Sequence, residues 1–239
     1  MNVLSVERVA ARHGLLQAVR EVSLDVAEGE TLALVGANGA GKTTLLRTIA
    51  GAHRPSGGRI VFEGRDIASI PAHRRVRMGI ALVPEGRRLF PQLTVEENLQ
   101  VASAAGRRGT WGVEEVLAAF PMLAPLRRRR AASLSGGQQQ AAAIGRALMT
   151  NPKLLLLDEV SLGLAPVAVE DVYRSLSTLI AGGTTIVLVE QDLARALTIA
   201  TRVVCMLEGR VVLEGEAGEL TREQVTNAYF GLSREQVVG

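Results

Sequence analysis

Gly36 to Thr43, GANGAGKT, fits the pattern G-x-x-x-x-G-K-[ST]. It lies between an apolar segment, Thr31 to Val35, and a helix-forming stretch that ends at Gly51. Glycines let a backbone wrap closely round phosphate, and successive N–H groups at a helix N-terminus converge on the anion. In that setting Gly36, Ala37, Asn38, Gly39, Ala40, Gly41, Lys42, Thr43 and Thr44 form a cradle for a nucleoside triphosphate. Lys42 would neutralise the β- and γ-phosphates, and the Thr43 hydroxyl would complete a Mg²⁺ shell. A Gly-rich turn with a chance lysine is the bland alternative, and the strand, loop, helix context argues against it.

Four leucines, Leu154 to Leu157, run directly into Asp158 and Glu159. A short apolar run closed by polar residues reads as a central strand of a parallel sheet, and ligands collect at the carboxyl ends of such strands. Taken alone, the two acids are either a site or an ordinary strand exit. The phosphate loop decides between them. A Mg²⁺-nucleotide at the end of one strand needs a carboxylate from a neighbouring strand, the place for Asp158, and Glu159 one residue on is suited to act as general base toward the attacking water. A third feature, Ser135-Gly136-Gly137-Gln138, opens a stretch of Gln, Ala, Leu and Met that stops at Asn151-Pro152. Ser-Gly-Gly is a common helix cap; it is also a second helix N-terminus fit to receive an anion, and one nucleotide does not need two.

In this order and spacing, the loop GANGAGKT, the signature LSGGQ at Leu134 to Gln138 and the strand LLLLDE make nearly the whole chain resemble the nucleotide-binding subunit of ATP-binding cassette transporters. The resemblance implies an α/β fold: a P-loop NTPase (RecA-like) core with an N-terminal antiparallel β portion and an inserted helical subdomain that carries the signature. It implies one domain over 1–239, with core at 1–85 and 151–239 and the insert at 86–150. Two cassettes would sandwich two ATP molecules head to tail, so that Ser135, Gly136, Gly137 and Gln138 meet the nucleotide of the partner. The implied catalytic residues are Glu159, Gln191 and Lys42, and the implied Mg²⁺ ligands are Thr43, Glu85 and Asp158. His13 stands where many cassettes stack a tyrosine on adenine, although a surface loop position accounts for it equally well. Glu85 replaces the usual glutamine, Gln191 the usual switch histidine, Ala165 a common aspartate and Val160 the proline after the catalytic glutamate.

VPEGRR, SLGLAP and LVEQ together resemble one branch, the F-type ATPase of high-affinity branched-chain amino acid importers. That branch implies partners: a second homologous ATPase, two transmembrane permeases and a periplasmic substrate-binding protein. It places the chain peripherally at the cytoplasmic face of the inner membrane. The same machine could carry urea, short amides or other amino acids, and a soluble cassette acting on ribosomes or DNA is a third reading. Nucleic acid is not expected as a partner: the net charge is a modest +3, and no aromatics interleave with the run Arg127 to Arg130, which reads as a solvated face.

The remaining sequence must position these groups. With 47% hydrophobic residues over 239 positions the chain can bury a sizeable core, its apolar runs are too short to span a membrane, and MNVLSVERVA lacks the pattern of a signal peptide. A soluble, cytoplasmic chain is expected, and the lone Cys205 within RVVCMLEG reads as a packed thiol. GGRIVFEGRDI predicts a hairpin strand, LTVEENLQVASAA a helix with a capping box from Thr94 to Glu97, and GVEEVLAAF a further helix. Strands return at KLLLLDE and TTIVLVE, and RVVCMLE pairs with RVVLEGE across a turn at Glu208-Gly209. Thr221 to Gly239 is expected to be a short helix and a loose end.

Overall fold

The pattern of β-branched and charged residues in the first 27 positions sets two long strands, and burial alternates along both. In the computed structural model, which describes residues 1–232, the chain separates into two units: residues 1–71 together with residue 186 onward, and residues 72–185. Along the chain come β1 (Asn2–His13), β2 (Leu16–Ala27), β3 (Thr31–Val35), α1 (Lys42–Ala50), β4 (Gly57–Phe62) and β5 (Arg65–Asp66). These are followed by α2 (Ala72–Met78), β6 (Ile80–Val83), α3 (Val95–Ser103), α4 (Val113–Ala119), α5 (Gly136–Leu148), β7 (Leu154–Asp158) and α6 (Pro166–Ala181). The chain then returns through β8 (Thr185–Val189), α7 (Leu193–Ile199), β9 (Arg202–Leu207), β10 (Arg210–Glu216) and α8 (Arg222–Phe230).

In the first unit an antiparallel sheet runs in the order β2-β1-β4-β5. A bulge lets β1 keep its apolar residues inside: Arg8 adopts a left-handed backbone (φ 47), the register shifts between Val6 and Val9, and both valines are buried. The expected hairpin of β4 and β5 forms through Glu63 and Gly64, both at positive φ. The second sheet of this unit has the order β10-β9-β3-β8, with β3 parallel to both neighbours. Every residue of β3 and β8 is buried, as continuous aliphatic runs require. The turn between β9 and β10 is at Glu208-Gly209, as expected, again with both residues at positive φ. Ala33, Val35, Val203 and Cys205 pack with Ala196 of α7 and Val225 of α8.

The second unit pairs β6 and β7 in parallel, with all of β7 buried. The helices expected within 86–150 form there as α3, α4 and α5, and the unit extends beyond those limits on both sides. Thr94 and Glu97 form the expected capping box of α3. A β-carbon at Gly145 of α5 would lie 2.5 Å from Val116 Cγ1, and one at Gly137 would lie 2.6 Å from the Ala168 β-carbon, so glycine lets α5 approach α4 and α6. The arginine run divides. Arg127 pairs with Glu96 at 2.6 Å and Glu114 at 2.7 Å, while Arg128 to Arg130 are exposed.

Of the tail predicted over Thr221 to Gly239, the helix is α8, and residues 233–239, where the loose end would fall, lie outside the described residues. No helix among the described residues is long and apolar enough to cross a membrane. Ala165 is the N-cap of α6, with Pro166 just inside the helix and no side-chain cap bond. Ala165→Asp supplies an acceptor for those first amides and is expected to raise unfolding free energy by about 0.5–2 kcal/mol, read from the urea midpoint at unchanged m-value.

Candidate functional site

The residues that prepare the phosphate loop are glycines with no room for a side chain. Gly36 (φ 147) has the Met206 carbonyl oxygen 2.2 Å from where a β-carbon would stand. Gly41 (φ 98), the residue before α1, has the Ala18 carbonyl oxygen at 2.3 Å in the same sense. Between them Gly39 is left-handed (φ 83) with open space around it. The loop is thus pressed on strands β2 and β9 and turned so that its amides lead into α1. Gly209, read from sequence only as a turn residue, supports it: its N–H donates to the Ala40 carbonyl at 3.0 Å, and its own carbonyl accepts from Arg20 N–H at 2.7 Å. Nothing in the sequence separates this glycine from an ordinary turn glycine.

Lys42 is 4% exposed, and its Nζ donates to the carbonyls of Gly36 at 2.6 Å and Ala37 at 3.0 Å. The loop therefore holds its own cation in place. Cys205, level with Val35 in the adjoining strand, lies under it. Burial pushes the Cys205 thiol up to about 11, with the nearby Lys42 charge acting the other way. The predicted packed thiol is confirmed by its zero exposure.

His13 is exposed at the end of β1. Its Nε2 lies 3.1 Å from Thr44 Oγ1, and its ring lies 4.6 Å from that of His53, tilted by 45°, a neighbour the sequence did not disclose. Gln191 is half-buried just beyond β8. Glu190, immediately before it, is 1% exposed and donates its N–H to the Leu34 carbonyl at 3.1 Å, which fixes the end of β8 beside the end of β3. The first unit thus assembles Gly36 to Thr44, His13 and the Gln191 backbone around the ends of its strands.

Within the second unit Asp158 ends β7 at 1% exposure, and Glu159 follows with a left-handed backbone (φ 51). Val160, in place of the proline common in the resembling family, is fully buried. Ser135 caps α5 as the sequence allowed: its Oγ accepts from Gln138 N–H at 3.3 Å, and Gln138 Oε1 accepts from Ser135 N–H at 2.9 Å. Glu85 is exposed on a turn tied to the same helix, since Arg146 Nη2 donates to the Arg87 carbonyl at 3.1 Å and Arg87 Nη1 to Gln139 Oε1 at 3.3 Å. Burial lowers the affinity of Arg146 for its proton, and Phe90 lies under its guanidinium at 5.7 Å. Arg146 and Gln139 were not singled out from sequence, where both look like unremarkable helix residues.

A cradle that a β-carbon would fill, a buried lysine held by loop carbonyls and a helix starting at that lysine fit a polyphosphate. No cluster of three or more His, Cys, Asp or Glu able to hold a metal is present among the described residues. Residues 19–161 match the family model described as ABC transporter. The chain belongs to the ABC transporter family. As a member it is an ATPase whose hydrolysis of ATP is coupled to transport.

The cassette is 44% identical over 232 residues to the high-affinity branched-chain amino acid transport ATP-binding protein BraG of Pseudomonas aeruginosa, covering 96% of this chain and 100% of that protein. It is 31% identical to the lipopolysaccharide export system ATP-binding protein LptB of Escherichia coli, covering 97% and 98%. A dimeric ATP-binding cassette in a post-hydrolysis state with ADP and Pi superposes with a TM-score of 0.79 at 26% identity, covering 90% of this chain and 98% of that one.

Two outcomes are expected of this site. Gly36→Ala drives a β-carbon into the Met206 carbonyl and should lower stability by about 1–3 kcal/mol while abolishing retention of a fluorescent ATP analogue, measured by anisotropy. The Cys205 thiol, with its pKa raised to about 11, stays protonated and should resist iodoacetamide at pH 8 until the protein is unfolded. By linkage this group contributes stability that is intact below its unfolded value of 9.0 and is lost as pH rises toward about 11.

Proposed function

We propose that this cassette powers uptake of branched-chain amino acids, Leu, Ile and Val, at the cytoplasmic face of the cell membrane. The observation that carries the cargo is the likeness to BraG over its whole length, at 44% identity against 31% for LptB. The ATPase pairs with a second cassette, two transmembrane permeases and an extracytoplasmic binding protein; the superposition on a dimeric cassette supports the pairing.

In this reading Gly36 to Thr44 receive the phosphates and Lys42 balances the β- and γ-oxygens. Thr43 and Asp158, with Glu85, are the residues that would hold Mg²⁺, which would supply positive charge to offset that of the phosphates. Glu159 takes the proton of the attacking water, and the Gln191 amide donates to a γ-phosphate oxygen. His13 stacks on adenine. Ser135 and Gln138 are satisfied by each other, and the amides of Gly136 and Gly137 at the head of α5 face the partner's nucleotide.

Glu159→Gln should keep ATP binding and lower kcat by about 10²- to 10⁴-fold, roughly 3–5.5 kcal/mol of barrier, in a phosphate-release assay. For the cargo, the tagged chain is purified from gently solubilised membranes and its companions identified by mass spectrometry. Two multi-span proteins with a second cassette, together with ATP-dependent leucine uptake by the reconstituted complex, are the expected result. Lipopolysaccharide-export components, or ribosomal or DNA-bound partners from the soluble fraction, would overturn it.

A further inference from the structure

We propose that Glu190 is a positioning residue for hydrolysis that acts by holding the backbone of Gln191; this rests on the reading of Gln191 as the γ-phosphate donor. Glu190 Oε2 accepts the N–H of Gln191 at 2.9 Å and the N–H of Asp192 at 3.2 Å. A carboxylate that is 1% exposed is costly to bury, and charge-assisted bonds to two amides offset that cost. On the other side of Gln191, Asp192 caps α7 by accepting from Arg195 N–H at 3.2 Å. Gln191 is therefore bracketed by two carboxylates, each bound to backbone.

This arrangement has a chemical effect. The amides of Gln191 and Asp192, just ahead of α7, are both taken by Glu190. In the proposed reading it is the Gln191 side chain, not these amides, that addresses phosphate from this turn. A glutamine has three rotatable bonds below its amide, and a fixed backbone is what makes its reach reproducible. Here Glu190 ties the turn to its own carboxylate and, through its N–H, to Leu34 in the strand that leads into the phosphate loop.

The test measures steady-state ATP hydrolysis by the full chain, with folding checked by thermal melts, for Glu190→Ala, Glu190→Asp, Glu190→Gln, Gln191→Ala and the double variant Glu190→Ala/Gln191→Ala. Glu190→Ala is expected to lower kcat by about 10- to 100-fold with KM for ATP unchanged. Glu190→Asp, whose shorter side chain cannot reach both amides, should do the same and serves if the alanine variant does not fold. Glu190→Gln keeps an acceptor oxygen and should recover most of the rate. The double variant should be no slower than Gln191→Ala alone.

A slow Gln191→Ala beside Glu190→Ala and Glu190→Asp of parental kcat overturns the positioning role and leaves the γ-phosphate reading standing. So does a double variant whose losses multiply. Gln191→Ala at parental rate overturns the reading of Gln191 and the positioning role with it.

Discussion

Two backbone carbonyls stand where the β-carbons of Gly36 and Gly41 would be, and the phosphate loop owes its path to that exclusion. Met206 and Ala18 supply the carbonyls, so the loop is moulded against β9 and against β2 at once. The Glu208-Gly209 turn closes the support by bonding to Ala40 on one side and Arg20 on the other. Positive φ at Gly36, Gly39 and Gly41 then follows as the backbone's way through the gap, and α1 begins with Lys42 already inside. Fully buried β3 and β8 keep this frame stiff, since any shift in either would move a packed core.

Several groups in the two units share one habit: they are satisfied by their own surroundings. Lys42 rests on loop carbonyls, Ser135 and Gln138 on each other, and Glu190 on the amides that follow it. A ligand that engages such groups exchanges hydrogen bonds, and the net gain per exchange is about 0.5–1.5 kcal/mol. The Gly136 and Gly137 amides have no part in the Ser135–Gln138 exchange, which leaves the head of α5 polarised while its capping side chains are bonded to backbone.

Much of this was legible in the sequence because it depends on local chemistry. The capping box at Thr94, the turn at Glu208-Gly209 and the burial of Leu154 to Leu157 each follow from residues within a few positions of one another. The pressure of Met206 and Ala18 on the loop was not legible, since it joins residues far apart along the chain. Arg127 illustrates the same limit. It reads as one of four solvated arginines and is instead bonded to Glu96 and Glu114, which only the packing of α3 and α4 brings within reach. Glu190 was within reach of sequence reasoning: an acid closing the apolar run TIVLV repeats the pattern that drew attention to Asp158.

Glu159 sits in a left-handed backbone that only glycine adopts freely, a departure of the order of 1–2 kcal/mol. A proline next in line would have narrowed its choices; Val160 instead pins the turn by complete burial. With Glu159 proposed as the general base, durability and turnover are set against each other at one residue. Glycine or asparagine would ease the chain there and carry no carboxylate, so a lineage drifting under selection for thermal robustness alone would surrender this acid early, while one under selection for flux would keep it and make up the deficit elsewhere in its core.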